Sequence, residues 1–349
     1  MARGDPYLAF IRREIARRNL PRELLYLPVI ESSYLTTAAS RSGAVGLWQF
    51  MQNSISPFDM RVTEWMDERM DFWKSTIGAL RKLEDNYGVL RDWPLALAAY
   101  NAGLGAITRI VLQQQNPHDF WELSALGLLK TETTHYVPKL LAVSHIISNP
   151  RRYGMDPLWN SDPEWTRVAV GKTVDLSLLA AAAGLEEGAL RSANRELYYG
   201  VTPPDALYYL KIPAANCAAV EAALERTDIA LFRYYIHEIK PGDTLLELAL
   251  HYGVTVEQIH SANPGLRERY LQLGTRLRIP SLKEVDPFIR AQTGEDLRFE
   301  GNHLVKRGET LWSIALAHNI DPEVLAEANG MQLNDTLREG RSLKTPINN

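Results

Sequence analysis

Apolar residues in the first 150 positions recur at intervals of three and four, the period of helices that bury one face. Tyr7, Leu8, Ile11 and Ile15 follow this spacing while Arg12, Arg13, Arg17 and Arg18 face away, which predicts an amphipathic helix over 6–20. Pro21 occupies a favoured first-turn position and opens a second helix from Arg22 to about Ile30. Further helices are predicted over 68–87, over 93–103 with Gly103 or Gly105 as C-cap, over about 105–114, and over 131–148. The last carries Tyr136, Leu140, Val143, His145 and Ile147, with His145 expected in the core. No strand-rich run precedes about residue 165, so this part reads as all-α or nearly so. Turn signals at Asn149-Pro150, Tyr153-Gly154, Asp156-Pro157 and Asp162-Pro163 end it.

Beyond that break, residues 301–346 fall on 235–280 at a shift of 66 without a gap. Gly242-Asp243-Thr244-Leu245 matches Gly308-Glu309-Thr310-Leu311, Ala249 matches Ala315, Asn263 matches Asn329, Gly274 matches Gly340 and Pro280 matches Pro346. Each copy reads as strand, two short helices, strand, with strands at 236–239, 277–280, 303–306 and 342–346. An eroded third copy precedes them at a shift of 69: Asp175-Leu176, Ala180, Gly184, Leu185 and Asn194 align with Thr244-Leu245, Ala249, Gly253, Val254 and Asn263. Its strands are expected at 168–170 and 208–213, and Gly171-Lys172-Thr173-Val174 stands where the others have their Gly-Asp-Thr turn. An Ala-rich helix is expected within 214–233. In the two clear copies the Gly, Thr and Asn suit turns and caps as well as contacts to a ligand, and Trp312 is expected partly in the core.

Length allows two or three domains among 349 residues. With 46% hydrophobic and 23% charged residues this is an ordinary soluble chain, and a net charge of −4 gives no basic footprint for nucleic acid. The single Cys217 excludes an internal disulfide, and the eight His show no ligand spacing, so neither metal nor cofactor is expected. No apolar run is long enough to cross a bilayer. Met1-Ala2-Arg3-Gly4-Asp5 is not followed by the apolar stretch of a signal peptide.

The chemistry centres on Glu31, in Leu27-Pro28-Val29-Ile30-Glu31-Ser32-Ser33-Tyr34. A carboxyl at the end of an apolar helix is partly desolvated and meets the negative end of the helix dipole. Both disfavour the charged form and raise the pKa, as a general acid requires. An isolated Glu at a helix end otherwise faces solvent. Downstream lie Ser40 and the run Gly43-Ala44-Val45-Gly46-Leu47-Trp48-Gln49-Phe50-Met51, whose glycines let backbone approach a ligand. Then follow Asp67-Glu68-Arg69-Met70-Asp71 with Lys74-Ser75-Thr76, Ala98-Ala99-Tyr100-Asn101-Ala102-Gly103, and Glu132-Thr133-Thr134-His135-Tyr136-Val137-Pro138-Lys139.

These four segments, in this order, resemble the signatures of the lytic transglycosylases with a lysozyme-like domain. The Trp48-Gln49-Phe50 variant and the later modules resemble the membrane-bound type D subgroup. The repeats resemble the LysM module, a small βααβ glycan-binding domain. The implied fold class is multidomain α+β, a mainly α lysozyme-like catalytic domain followed by small βααβ LysM domains. The expected division is 1–160 catalytic, 165–233 a degenerate LysM-like spacer, 234–281 LysM, 282–300 linker and 301–347 LysM. The resemblance implies cleavage of the β-1,4 bond between N-acetylmuramic acid and N-acetylglucosamine in peptidoglycan. Glu31 is then the single general acid and base, and the product ends in 1,6-anhydro-N-acetylmuramic acid. The next acid after Glu31 is Asp59, outside every signature, which is consistent with a one-carboxyl mechanism.

Carried over position by position, Ser40 and Gln49 would bind the N-acetyl or ring substituents, and Met51 would form an apolar wall. Tyr100 would bring its hydroxyl to the reacting sugar, Asn101 would support the signature loop, and Glu132 would hold polar groups deeper in the groove. In the LysM copies Gly242, Asp243, Thr244, Leu245 and Asn263, with Gly308, Glu309, Thr310, Leu311 and Asn329, would line a shallow glycan groove. Gln52, residues 53–62, Met70 and Phe72-Trp73 depart from the family pattern. A peptidoglycan substrate implies the periplasm or cell envelope, with an export signal or lipid anchor removed from this chain. Two other readings are a hydrolysing muramidase and a non-catalytic wall-binding LysM protein.

Overall fold

The computed structural model describes residues 2–114, 119–155, 163–204, 206–240, 242–266, 271–288, 299–318, 320–333 and 335–346. The turn signals at Asp156-Pro157 and Asp162, and residues 289–298 of the expected linker, lie outside the described residues. The chain divides into two compact units, Met1–Phe232 and Arg233–Asn349.

In the first unit, α1 (Asp5–Arg17) buries Leu8, Ile11 and Ile15 and leaves Arg12, Arg13 and Arg17 exposed. The expected second helix is split into a 3₁₀ turn, Arg22–Tyr26, and α2 (Leu27–Ser32). Pro28 explains the break: without an N–H it fits the first turn of a new helix better than the interior of a longer one. The next helix, α3 (Phe72–Leu90), starts later than its periodicity suggests. Asp71 caps it, its carboxylate accepting from the amides of Trp73 and Lys74 at 2.8 and 3.0 Å. Asp92 likewise caps α4 (Trp93–Ala102), which ends at Gly103 with φ 93°. After α5 (Leu104–Leu112) comes α6 (Phe120–Ala125), a helix too short to show a period in sequence. In α7 (Thr131–Ser148), Tyr136, Val137, Leu140 and Ile147 are buried. His145 is off that line: it is exposed, with its ring against Tyr153, and not in the core as expected. The helical core closes around Phe10, Trp48, Phe50, Phe72, Leu80 and Leu83.

The same unit continues with β1 (Trp165–Val170), α8 (Leu176–Ala182), α9 (Ala189–Ala193), β2 (Tyr208–Pro213) and α10 (Cys217–Glu225). β1 and β2 pair antiparallel, Val168 opposite Leu210, over a separate core of Val170, Leu176, Leu179, Leu210 and Ile212.

The second unit contains the βααβ pattern twice. The first copy is β3 (Tyr234–Glu238), α11 (Leu245–Tyr252), α12 (Val256–Ala262) and β4 (Arg276–Pro280). The second is β5 (Gly301–Leu304), α13 (Leu311–Ala317), α14 (Pro322–Ala328) and β6 (Ser342–Thr345). Each strand pair is antiparallel, with His237 opposite Leu277 and His303 opposite Leu343, and each copy has its own small core. On α13, Leu311, Ile314 and Ala315 face that core. Trp312 falls on the other side of the helix and is 55% exposed, contrary to the expectation of a partly buried ring.

Candidate functional site

Glu31 is the penultimate residue of α2. Ser33 and Tyr34 then take left-handed φ values of 52° and 59°, turning the chain sharply away. Tyr136 reaches across from α7 and donates its phenol to Glu31 Oε1. Lys82 of α3 places its ammonium 4.4 Å from the centre of the Tyr100 ring and 5.7 Å from that of Phe50. It also donates to the Tyr100 carbonyl at 3.4 Å. The Tyr100 side chain is buried, and its hydroxyl donates to the Trp48 carbonyl at 2.8 Å.

Burial is the main influence on Glu31 and pushes its pKa up to about 7. The Tyr136 hydrogen bond and the Lys82 charge oppose the rise, and the nearby Glu132 charge adds to it. Burial also raises the Tyr100 and Tyr136 phenols, which stay neutral donors, and lowers Lys82 against the pull of Glu31. A carboxyl poised near neutral pH can give a proton in one step and take one in the next.

The loop after Glu31 is tightly tied. Gly43 and Gly46 have φ of 90° and 88°, and Gln49 has φ 51°. A Cβ on Gly46 would come within 1.9 Å of the Arg69 carbonyl oxygen, so only glycine fits there. The Gln49 amide donates to the carbonyls of Gly46 (3.0 Å) and Ala38 (3.3 Å). Ser40 is exposed, its hydroxyl accepting from the Ala44 amide and lying 3.0 Å from that of Ser42. Met51, two residues after Gln49, is exposed. Across from this loop, Asn101 joins α4 to α7: it donates to Glu132 at 3.4 Å and accepts from Thr133 at 2.9 Å. Glu31, Tyr100, Asn101 and Glu132 thus belong to one connected set with Tyr136 and Lys82. Tyr136 lies within a signature segment, but its bond to Glu31, and the place of Lys82 beside them, become visible only in the fold.

The residues singled out in the repeats belong to the second unit. Thr244 and Thr310 cap α11 and α13. Asp243 accepts from His237 at 2.7 Å and from the Lys240 amide at 2.8 Å; Glu309 accepts from His303 and the Lys306 amide, both at 2.8 Å. Gly242 and Gly308 hold φ of 86° and 85° in these turns, and Leu245 and Leu311 are buried. Asn263 donates to the carbonyls of Ile259 and Arg278 and accepts from the Arg278 amide. Asn329 does the same with Leu325 and Lys344. Both Asn side chains therefore clamp a helix to the closing strand. Asn263 also borders a groove of about 590 Å³ lined by Ile239, Pro264, Leu266, Gln272 and Thr275.

The Transglycosylase SLT domain family matches residues 9–122, and the LysM domain family matches 237–280 and 303–346. The membrane-bound lytic murein transglycosylase D of Escherichia coli K12 is 28% identical over 335 residues, covering 91% of this chain and 72% of its own. The protein of that name from Escherichia coli O6:H1 gives the same figures. Among solved structures, the lytic transglycosylase Slt of Pseudomonas aeruginosa overlaps 43% of this chain and 25% of its own, with TM-score 0.34 and 21% identity. The spore cortex-lytic enzyme SleL of Bacillus cereus overlaps 33% of this chain and 23% of its own, with TM-score 0.13 and 27% identity. The chain is a homologue of the lytic murein transglycosylases, with an SLT transglycosylase domain in its first unit and two LysM domains in its second.

Proposed function

We propose that the protein cleaves the β-1,4 bond between N-acetylmuramic acid and N-acetylglucosamine in peptidoglycan without consuming water. The observation that carries this reading is the setting of Glu31: a half-buried carboxyl with pKa near 7, held by Tyr136 and facing Lys82. Protonated Glu31 gives its proton to the glycosidic oxygen as the bond to C1 breaks, and the N-acetyl group of the muramic sugar assists departure. Tyr136 and Lys82 then stabilise the carboxylate that is left. That carboxylate takes the proton of the C6 hydroxyl, whose oxygen closes on C1 to give the 1,6-anhydro end. Glu31 is protonated again and ready for another cycle.

In this reading Ser40 and Gln49 hold the sugar from the loop, Met51 supplies an apolar edge, and Tyr100 forms the buried floor on which Lys82 rests. Asn101 and Glu132 support the far wall. The residues of the two LysM turns, with Asn263 and Asn329 shaping them, bind glycan beside the groove next to Pro264. We assign catalysis to 1–160, a spacer to 165–233, glycan binding to 234–281 and 301–347, and linkage to 282–300. A wall substrate places the protein in the periplasm or cell envelope, in keeping with the membrane-bound name of the E. coli relative. No helix among the described residues is long and apolar enough to cross a membrane.

Glu132, whose charge reaches Glu31, supports a second reading as a hydrolysing muramidase, in which it would activate water. Glu31→Gln is expected to abolish cleavage while sedimentation with insoluble peptidoglycan is unchanged. Cleavage that persists in this variant would remove Glu31 from the mechanism.

A further inference from the structure

The third repeat, residues 165–232, departs from the other two in a patterned way. Where they pair His237 with Asp243 and His303 with Glu309, it has Val168 and Val174, both buried. It keeps the Asn clamp: Asn194 donates to the carbonyls of Leu190 and Lys211 and accepts from the Lys211 amide. By that clamp Lys211, Arg278 and Lys344 occupy the same place on their closing strands. Arg278 and Lys344 are exposed, whereas Lys211 is fully buried. Its ammonium donates to Asp71 Oδ2 and the Tyr208 hydroxyl, each at 2.8 Å, and to Glu196 Oε1. Its cross-strand partner Arg167 stacks on Trp73, 4.7 Å from the ring centre. The strand position that faces solvent in the two LysM domains is, in this repeat, seated on the N-terminus of α3.

From that contact a continuous chain of bonds leads to the loop after Glu31. The Asp67 amide donates to the Glu196 carbonyl (2.9 Å), and the Tyr198 amide to the Trp65 carbonyl (3.0 Å), so residues 65–67 run along 196–198. The Asp67 carboxylate grips the Arg69 guanidinium at 2.7–2.9 Å. Arg69 Nη1 in turn donates to the carbonyls of Gly43 (3.0 Å) and Phe50 (3.4 Å), and the Arg69 backbone presses on Gly46.

We infer that the third repeat is a positioning element for the loop 38–51, with Lys211 as its key positioning residue, acting through residues 65–71. The repeat has exchanged a glycan-binding turn for a buried seat on the helical domain, and its task is to hold the backbone that carries Ser40 and Gln49. The coupling stands on contacts alone; its effect on substrate rests on the proposed role of that loop.

The test uses Lys211→Met in the full chain. Amide hydrogen exchange at Gly46 and Phe50, which bond to the carbonyls of Ala38 and Val45, should quicken at least tenfold, while α2 and α7 keep their protection. KM for glycan strands should rise severalfold at temperatures where circular dichroism shows the variant folded, and the pH limb set by Glu31 should not move. Loss of folding alone would lower kcat and leave KM unchanged. Unchanged exchange in the loop, with loosening confined to 165–232, would overturn the inference. A loosened loop with unchanged KM would instead leave the coupling standing and remove the loop from substrate binding. Should Lys211→Met not fold, Glu196→Gln, which removes the charge but keeps the shape, is read in the same way.

Discussion

A site that favours the protonated form of Glu31 must also make the folded protein less stable once that proton is gone. In the unfolded chain this carboxyl has its ordinary pKa of 4.5; in the folded protein it is about 7. Below about 4.5 both states carry the proton. Between these values only the folded state does, so stability falls as pH rises, and above about 7 the full difference stands. At about 1.4 kcal/mol per pH unit this amounts to roughly 3 kcal/mol, and local relaxation reduces it to roughly 1–3 kcal/mol. Glu31→Gln is never charged, has nearly the same volume, and its amide oxygen can still accept from Tyr136. At pH 8 the variant should therefore be the more stable protein, with the first unit melting roughly 2–12 °C higher, whereas at pH 4 the two should coincide. Tryptophan fluorescence is the suitable probe, because seven of the eight tryptophans lie before residue 232. A variant that is no more stable at pH 8 than at pH 4, relative to its parent, would refute the claim that the site resists the Glu31 charge. Inactivity combined with higher stability is what a group strained for function produces.

The same electrostatics predict that activity falls as pH rises through about 7, because Glu31 must enter the reaction protonated. Tyr136→Phe removes a bond that favours the carboxylate and Lys82→Met removes a cation that does so; each should move this limb of kcat/KM to higher pH. A shift to lower pH would contradict the assigned contacts. Gly46→Ala should cost roughly 1–3 kcal/mol through its left-handed φ alone, displace the loop from Arg69 and lower activity at least tenfold, readable by melting and by turbidity loss of wall suspensions. Asn263→Ala breaks three hydrogen bonds and should destabilise the first LysM domain by roughly 2–3 kcal/mol, seen as loss of its amide dispersion in NMR while the second domain is unchanged.

How much of this was legible in the chain depended on the range of the interaction. The α7 helix, apart from its outward His145, the Gly103 stop and the repeats at 66 and 69 are local or periodic, and they lie where the sequence places them. Pro28 and Asp71 are visible as residues, but a hydrophobic period runs through both, and so the expected starts of α2 and α3 fall too early. The raised pKa of Glu31 follows from an apolar helix end and was legible; its partner Tyr136, 105 residues away, was not. Lys211 is the clearest limit. A lysine between Leu210 and Ile212 reads as the outward position of an edge strand, as its counterparts Arg278 and Lys344 are. Only the tertiary fold brings Asp71 and Glu196 to it. The Asn clamps show the converse: residues that suit a sugar contact on paper spend their side chains joining helix to strand.

The most direct test of the central claim is the mass of the products released from purified peptidoglycan. Muropeptides lighter by one water, carrying 1,6-anhydro ends and absent with Glu31→Gln, are the predicted result. Products with reducing ends would contradict it, make the protein a muramidase, and turn attention to Glu132 as the group that activates water.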